Sequence, residues 1–367
     1  MPEASLYVNG KIYAGWSEAK IMRSLDAVSG KFELSVIDKW EASAEVWGIR
    51  PGDVCAVKVG GTPLITGYVD AVAPSYSAAA HAISISGRDK TCDLVDCSAL
   101  DAEFNGLTLA AIAKRIVKPF GLETVVQIGT SPAFPKFAIN PGESCWEALN
   151  RAAAQRFEVI TTDGLGRVVI SDVGYTSAHD ALTEGKNIKA ASASYDYSNR
   201  FSKYIIKAQQ QVNGGGDPYG DEASKPAVSA TTSDANVTRY RPKIINNDTD
   251  ANEGSAQERV EYEAARRAAD STSISVTVAG WTQSNGELWP LNSMVFVDSP
   301  RLSIKERLLI SSVKFILSLA GGYETEMELT RADAYKYGRK HRRAKKVKKG
   351  AAGLDGDPFA NYIQDKG

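Results

Sequence analysis

Arg50-Pro51-Gly52 opens onto Val54-Cys55-Ala56-Val57-Lys58-Val59, and a short hairpin loop leads into Leu64-Ile65-Thr66-Gly67-Tyr68-Val69-Asp70-Ala71-Val72. A polar gap, Ala82 to Ser86 and Gly87-Arg88-Asp89 follow. A series of strands at such close spacing predicts a barrel or sandwich. The same order returns near the other end of the chain. Trp289-Pro290-Leu291-Asn292 leads into Met294-Val295-Phe296-Val297-Asp298, then come a loop and Leu308 to Phe315. A Gly321-Gly322 gap, Glu324 to Thr330 and Arg331-Ala332-Asp333 complete it. Strand, loop, longer strand, turn, strand and an Arg-x-Asp-like end recur in both places. The pattern predicts two related β-barrels. Three such chains in a closed ring contain six nearly equivalent units, so a trimer can match a sixfold partner.

Outward from these stretches, Leu6 to Tyr13 holds Asn9-Gly10, a dipeptide that tolerates positive φ and predicts a tight hairpin. Lys20 to Arg23 and Gly30 to Ile37 read as further strands, with Phe32, Leu34 and Val36 alternating with polar residues. After Cys97 the period changes. Thr108 to Phe120 carries Leu109, Ile112, Ala113, Ile116 and Val117 on one helical face, closed by Pro119 and Gly121. Ser144-Cys145-Trp146-Glu147 is a capping-box sequence that opens a second helix to about Phe157. Val159 to Thr162 and Val168 to Ser171 predict a hairpin around Gly164 and Gly166. Ser192 to Val212 reads as strand and Asn213 to Asn236 as a long exposed polar loop. Ser255-Ala256-Gln257-Glu258 opens a third helix, on which Arg259, Arg266 and Arg267 pair with Glu258, Glu261 and Glu263 on a solvated face.

The fold class that follows is α+β and β-rich, with two related tube-like barrel domains and an inserted small α/β domain. The boundaries are 1–97 for the first barrel, 98–190 for the α/β insert and 191–335 for the second barrel. The last of these carries the loop 213–236 and a helix near 255–269. Residues 336–367 form a basic, flexible tail. The chain has 367 residues and a net charge of -1, which hides an asymmetry. From Lys336 onward lie ten of the 43 basic and three of the 44 acidic residues, leaving a body with 33 basic and 41 acidic side chains. An acidic body with a basic tail bears on partners and solubility, not on fold. Met1 to Gly10 shows no signal peptide, and no apolar run approaches the roughly 20 residues that span a bilayer. Synthesis and folding in a cytoplasm, any later location reached by assembly and no direct membrane insertion are the expectations.

Several stretches, in collinear order, resemble the baseplate hub family of phage Mu. They include Arg23-Ser24-Leu25, Gly30-Lys31-Phe32-Glu33-Leu34 and the most specific, Gly87-Arg88-Asp89-Lys90-Thr91-Cys92-Asp93-Leu94-Val95-Asp96-Cys97. Phe134-Pro135-Lys136-Phe137, Arg200-Phe201-Ser202-Lys203-Tyr204, Val237 to Pro242 and Gly280-Trp281-Thr282 with Leu288-Trp289 extend the match. More distantly, the family is similar to the hub of T-even phage tails. The resemblance implies a homotrimer whose paired barrels form a pseudo-sixfold ring. Such a ring joins a hexameric tail tube to a trimeric spike, touches baseplate wedge proteins and leaves an axial channel for non-specific passage of DNA. The negative body predicts an acidic or neutral channel wall, with the basic tail away from the axis.

Chemistry is sparse. His81, His179 and His341 lack metal-pair spacing, and no nucleophile elbow or phosphate-cradling loop occurs. Cys55, Cys92, Cys97 and Cys145 read as buried free thiols of a reducing compartment. The expectations are therefore no catalytic residue, no metal and no cofactor. A tail-associated peptidoglycan hydrolase is the enzymatic alternative, because abundant carboxylates could supply an acid pair. Nucleic-acid binding has only one charge run in its favour. Two assembly sites are predicted instead. Arg88, Asp89, Lys90 and Asp93 alternate in sign at a strand end, which reads either as a surface ion-pair brace or as an intersubunit contact. Arg342, Arg343, Lys345 and Lys346, with Phe359 and Tyr362 behind them, form a candidate partner-docking tail.

Overall fold

The computed structural model describes residues 2–38, 48–77, 81–100, 103–129, 131–156, 158–208, 228–247 and 253–335. The first strands are β1 (Ala4–Val8), β2 (Lys11–Tyr13), β3 (Glu18–Ser24), β4 (Lys31–Asp38), β5 (Val54–Val59), β6 (Thr62–Tyr76) and β7 (His81–Asp89). The β1–β2 turn uses Asn9 and Gly10 at φ 51° and 75°, the backbone that this dipeptide was expected to adopt.

An α/β unit follows, with α1 (Cys92–Asp96), β8 (Glu103–Leu107), α2 (Leu109–Val117), β9 (Thr124–Val126), β10 (Phe134–Ala138), α3 (Cys145–Ala154), β11 (Val159–Thr162) and β12 (Val168–Ser171). The Thr108 hydroxyl caps α2 by accepting from the Ala111 N–H. Both bonds of the Ser144/Glu147 capping box are present at α3. Leu109, Ile112, Ala113, Leu149, Phe134, Phe137 and Ile170 share the core of this unit.

The chain returns through β13 (Thr176–Ser177), β14 (Leu182–Thr183) and β15 (Ile188–Tyr195). It then makes β16 (Lys203–Ala208), β17 (Val228–Ser233), β18 (Pro242–Asn247) and α4 (Glu253–Asp270). It closes with β19 (Thr272–Ala279), β20 (Ser293–Ser299), β21 (Ile304–Ser318) and β22 (Gly322–Thr330).

The strand sets at the two ends of the chain are duplicated in length and in pairing. β5, β6 and β7 have 6, 15 and 9 residues; β20, β21 and β22 have 7, 15 and 9. The pairing order β3-β4-β7-β6-β5 matches β15-β19-β22-β21-β20 strand for strand. Each long middle strand carries a register shift at the same place, Val69/Ala71 in β6 and Ile310/Ser312 in β21. Gly52 donates its N–H to Val69 O, and Asn292 donates its N–H to Ile310 O. Both donors sit at positive φ.

Two separate barrels were expected, but the pairing joins both strand sets into one fourteen-stranded sheet. The seam is β3 against β21, from Ser312↔Ser24 to Leu317↔Ala19. Among the described residues no ring of paired strands closes. The reason is that β21 is twice the length of β20, so half of one edge is left for a strand from the other end of the chain. One apolar core runs beneath the seam, including Ile21, Phe32, Ile85, Trp281, Val313 and Phe315.

Other expectations need correction. Ser192 to Val212 is not one strand, because the chain breaks between β15 and β16 at Asp196–Ser202. Val228–Ser233, read as loop, is β17, antiparallel to β16. Its Thr and Val residues are good strand formers once a partner covers them. Residues 213–227 of the expected loop lie outside the described residues. β16, β17, β18 and α4 form a separate small unit around Tyr204, Ile206 and Val260, which was assigned to the second barrel. The third helix starts at Glu253, two residues ahead of the expected capping sequence. Its ion pairs are Arg259–Glu263, Arg267–Glu263 and Arg266–Asp270, each i to i+4.

Candidate assembly site

The Gly87 to Cys97 stretch turns from the large sheet into the α/β unit, and its four expected contact residues separate there. Arg88 is half-buried and braces the surface. Its Nε lies 2.7 Å from Asp70 and its Nη2 2.9 Å from Asp96. Those bonds hold the guanidinium pKa above its usual value. Lys90 and Asp93 are half-buried.

Asp89 does not fit the expected intersubunit role, because it is 0% exposed within a single chain. Its Oδ1 accepts from the Thr91 N–H at 3.1 Å and from the Thr91 hydroxyl at 3.0 Å. Burial pushes the carboxyl up to about 6; the Thr91 bonds, the Arg23 charge and the Thr162 hydroxyl offset this only in part. Arg23 lies on β3, has its own pKa lowered by burial and donates to the Thr162 carbonyl.

This joint fastens the β11–β12 turn to the large sheet. The Thr66 hydroxyl donates to Gly164 O at 2.7 Å, and a Cβ at Gly164 would overlap the Pro63 carbonyl. The family-like stretch therefore serves first as an internal joint. Arg23 and Thr162 were missed, since nothing local in the sequence pairs residue 23 with residue 162.

The raised carboxyl has a signed consequence. In the unfolded chain Asp89 returns to its ordinary value near 3.8. Between that value and about 6 the folded state holds the extra proton, so stability from this group is full below pH 4 and is lost as pH rises through 6. The stability of the wild type minus that of Asp89→Asn should fall by about 2–3 kcal/mol between pH 4 and pH 7. Urea unfolding at a series of pH values measures this. A pH-independent difference would mean that the group does not titrate in that window.

A second joint fixes the small unit. Arg200 Nε and Nη2 donate to Asp234 Oδ2 at 2.9 and 2.7 Å, and both side chains are under a tenth exposed. The guanidinium covers the Tyr197 ring and reaches toward Ser271, just ahead of β19.

The described chain ends at Tyr335, whose hydroxyl donates to Asp26 at 2.8 Å. Tyr335 stands on the rim of a cleft of about 900 Å³ between the α/β unit, α4 and the large sheet. The tail residues Arg342, Arg343, Lys345, Lys346, Phe359 and Tyr362 lie outside the described residues.

Of the four cysteines, Cys55, Cys92 and Cys145 are buried and free. Cys97 is free but exposed, against expectation, because it sits past the end of α1. Burial raises the Cys55 thiol to about 12 and the Cys92 thiol to about 11, so both stay protonated at neutral pH. No group of His, Cys, Asp and Glu among the described residues could hold a metal ion. No described helix is long and apolar enough to cross a membrane.

Residues 3–89 match the family model for the Mu phage baseplate assembly protein GpP-like N-terminal domain. Residues 91–172 match the second domain of baseplate hub protein gp44-like chains, and 252–338 the fourth domain of the Mu phage baseplate assembly protein GpP. Among solved structures, the 43 kDa tail protein of prophage MuSo2 from Shewanella oneidensis is 36% identical. It has a TM-score of 0.81, over 91% of this chain and 99% of that one. A tail protein from Neisseria meningitidis shares the fold at a TM-score of 0.79 and 24% identity, over 92% and 99% of the two chains. These matches place the chain among phage tail baseplate proteins. Baseplate hub protein gp44 of Escherichia phage Mu is 33% identical over 337 residues, which is 90% of this chain and 88% of the relative. The chain belongs to that family: it is a baseplate hub protein of a Mu-like phage tail.

Proposed function

We propose that three copies of this chain form a pseudo-sixfold ring that joins the hexameric tail tube to the trimeric spike. The ring surrounds an axial channel through which DNA passes during ejection. The observation that carries this reading is the duplication within one sheet. Two strand sets of nearly equal length and identical pairing order lie side by side across the β3–β21 seam. A chain with two equivalent sets turns threefold symmetry into near-sixfold symmetry without a second gene product. Each set is a quasi-subunit curled toward a barrel, and the cylinder closes in the ring.

The α/β unit and the small α4 unit stand outside the sheet. They supply the surfaces for the spike and for baseplate wedge proteins. Arg88, Lys90 and Asp93 remain available at the surface as part of a subunit contact. The tail from Arg342 to Tyr362 docks on a neighbouring tail protein. The work of the protein is assembly and passage, with no enzymatic step.

Light scattering of the purified chain should give three times its 39.4 kDa mass, and particle images should show a central opening. A persistent monomer, or a compact particle without an opening, would sink the reading. Incubation with peptidoglycan should leave turbidity unchanged over hours.

A further inference from the structure

Two cysteines of the α/β unit, far apart in the chain, are set against each other by its backbone. Cys97 follows α1 in an extended conformation, at φ -100° and ψ 139°. Cys145 opens α3 directly behind Ser144, which is itself extended at φ -69° and ψ 158°. The Cys145 N–H donates to Cys97 O at 3.1 Å, and the Ala99 N–H donates to Glu143 O at 2.8 Å. These bonds flank an antiparallel bridge between Ser98 and Ser144. One step along that pairing, Cys97 stands opposite Cys145. Opposed residues of an antiparallel pair send their side chains to the same face. Their Cα atoms lie about 4.5–5.5 Å apart, inside the window of about 4.4–6.8 Å that a disulfide bridges.

Both positions are held firmly. Ser144 and Glu147 form the capping box of α3, and Arg151 binds Glu143 at 2.7 Å. Cys145 is 2% exposed and shares the core of the α/β unit with Leu94 and Ala99, which flank Cys97 in the chain. Burial raises the Cys145 thiol, and the nearby Cys97 raises it further. Cys97 itself is free and exposed. One sulfur is therefore open to a reagent from solution, and the other stands behind it. Cys55 belongs to a different core, that of the large sheet.

We propose that Cys97 and Cys145 are a thiol–disulfide site, which a small-molecule disulfide of the glutathione type oxidises to link the end of α1 to the start of α3. The Cys97 thiolate attacks one sulfur of the reagent, forms a mixed disulfide and releases one small thiolate. The Cys145 thiol gives up its proton and its sulfur attacks Cys97 Sγ, which expels the second small thiolate. Two protein thiols are oxidised, the reagent disulfide is reduced to two thiols, and the two protons end on those thiols. Ionisation of the raised Cys145 thiol makes the second step the slower one. The link closes a loop that holds β8, α2, β9 and β10. Closing such a loop restricts the unfolded chain and stabilises the folded unit. Reducing surroundings keep the pair open, and oxidising surroundings close it.

The test treats the purified full chain with oxidised glutathione, blocks the remaining thiols and maps the cysteine peptides by mass. The expected product has lost two hydrogen atoms and joins the Cys97 and Cys145 peptides. It should exceed every other cysteine pairing by on the order of tenfold. Cys145→Ala should stop at a glutathione adduct on Cys97, and Cys97→Ser should leave Cys145 unmodified. The oxidised wild type should unfold at higher urea than the reduced one, and Cys97→Ser should abolish that difference. A wild type that keeps glutathione on Cys97, or keeps all four thiols free, would overturn the site. So would a link from Cys97 to Cys92 or to Cys97 of a second copy. Mapping of the wild type decides the matter even if a variant fails to fold.

Discussion

Trp281→Ala should destabilise the protein by about 3–5 kcal/mol, the cost of emptying a large buried aromatic site. Trp281 is 1% exposed and lies in the core under the seam. Its ring meets Tyr323 at 4.8 Å and Phe315 at 6.1 Å, both edge-on, and its Nε1 donates to Ile316 O at 2.9 Å. Phe315 and Ile316 are the residues of β21 that face Ile21 and Lys20 of β3. Truncation therefore removes packing and a backbone anchor at the point where the two strand sets are joined. Chemical unfolding should show the loss, and hydrogen exchange should speed up in β3 and β21 more than in α2 and α3. A change below about 1 kcal/mol would mean that the neighbouring rings collapse into the space, so that the site is not rigid.

Arg200→Ala should cost a similar amount, about 3–5 kcal/mol, by a different route. It strands the Asp234 carboxylate in a site that is 8% exposed, with its cation gone. The loss should be local at first. Exchange should rise in β16, β17 and β18, which depend on this joint, before it rises in β21. The double variant Arg200→Met with Asp234→Leu should recover most of the stability, because replacing both partners removes the uncompensated charge. If the double variant is as unstable as the single one, the pair matters for shape and not for charge.

Short-range signals in the sequence carried much of the fold. Val54–Val59, Val159–Thr162 and Val168–Ser171 form strands at the expected bounds, since their patterns are local and bounded by turn residues. Asn9-Gly10 and Ser144/Glu147 act through backbone and side-chain bonds within four residues. The twofold repetition was legible as a recurring order of strands and turns. The joints were not. Asp89 reads as one charge in a row of alternating charges, and only the packing of Arg23, Thr91 and the β11–β12 turn around it removes it from solvent. Val228–Ser233 reads as loop because its residues are small and polar, and strand geometry comes from β16 alongside.

The sequence by itself determined the local elements, the duplication and the family, because these depend on neighbouring residues and on collinear motifs. Only the tertiary structure decided that the two halves share one sheet. The β3–β21 pairing joins residues nearly 300 positions apart. Such a pairing is selected by which edge remains uncovered once the nearer strands have paired, and no local pattern encodes a vacancy.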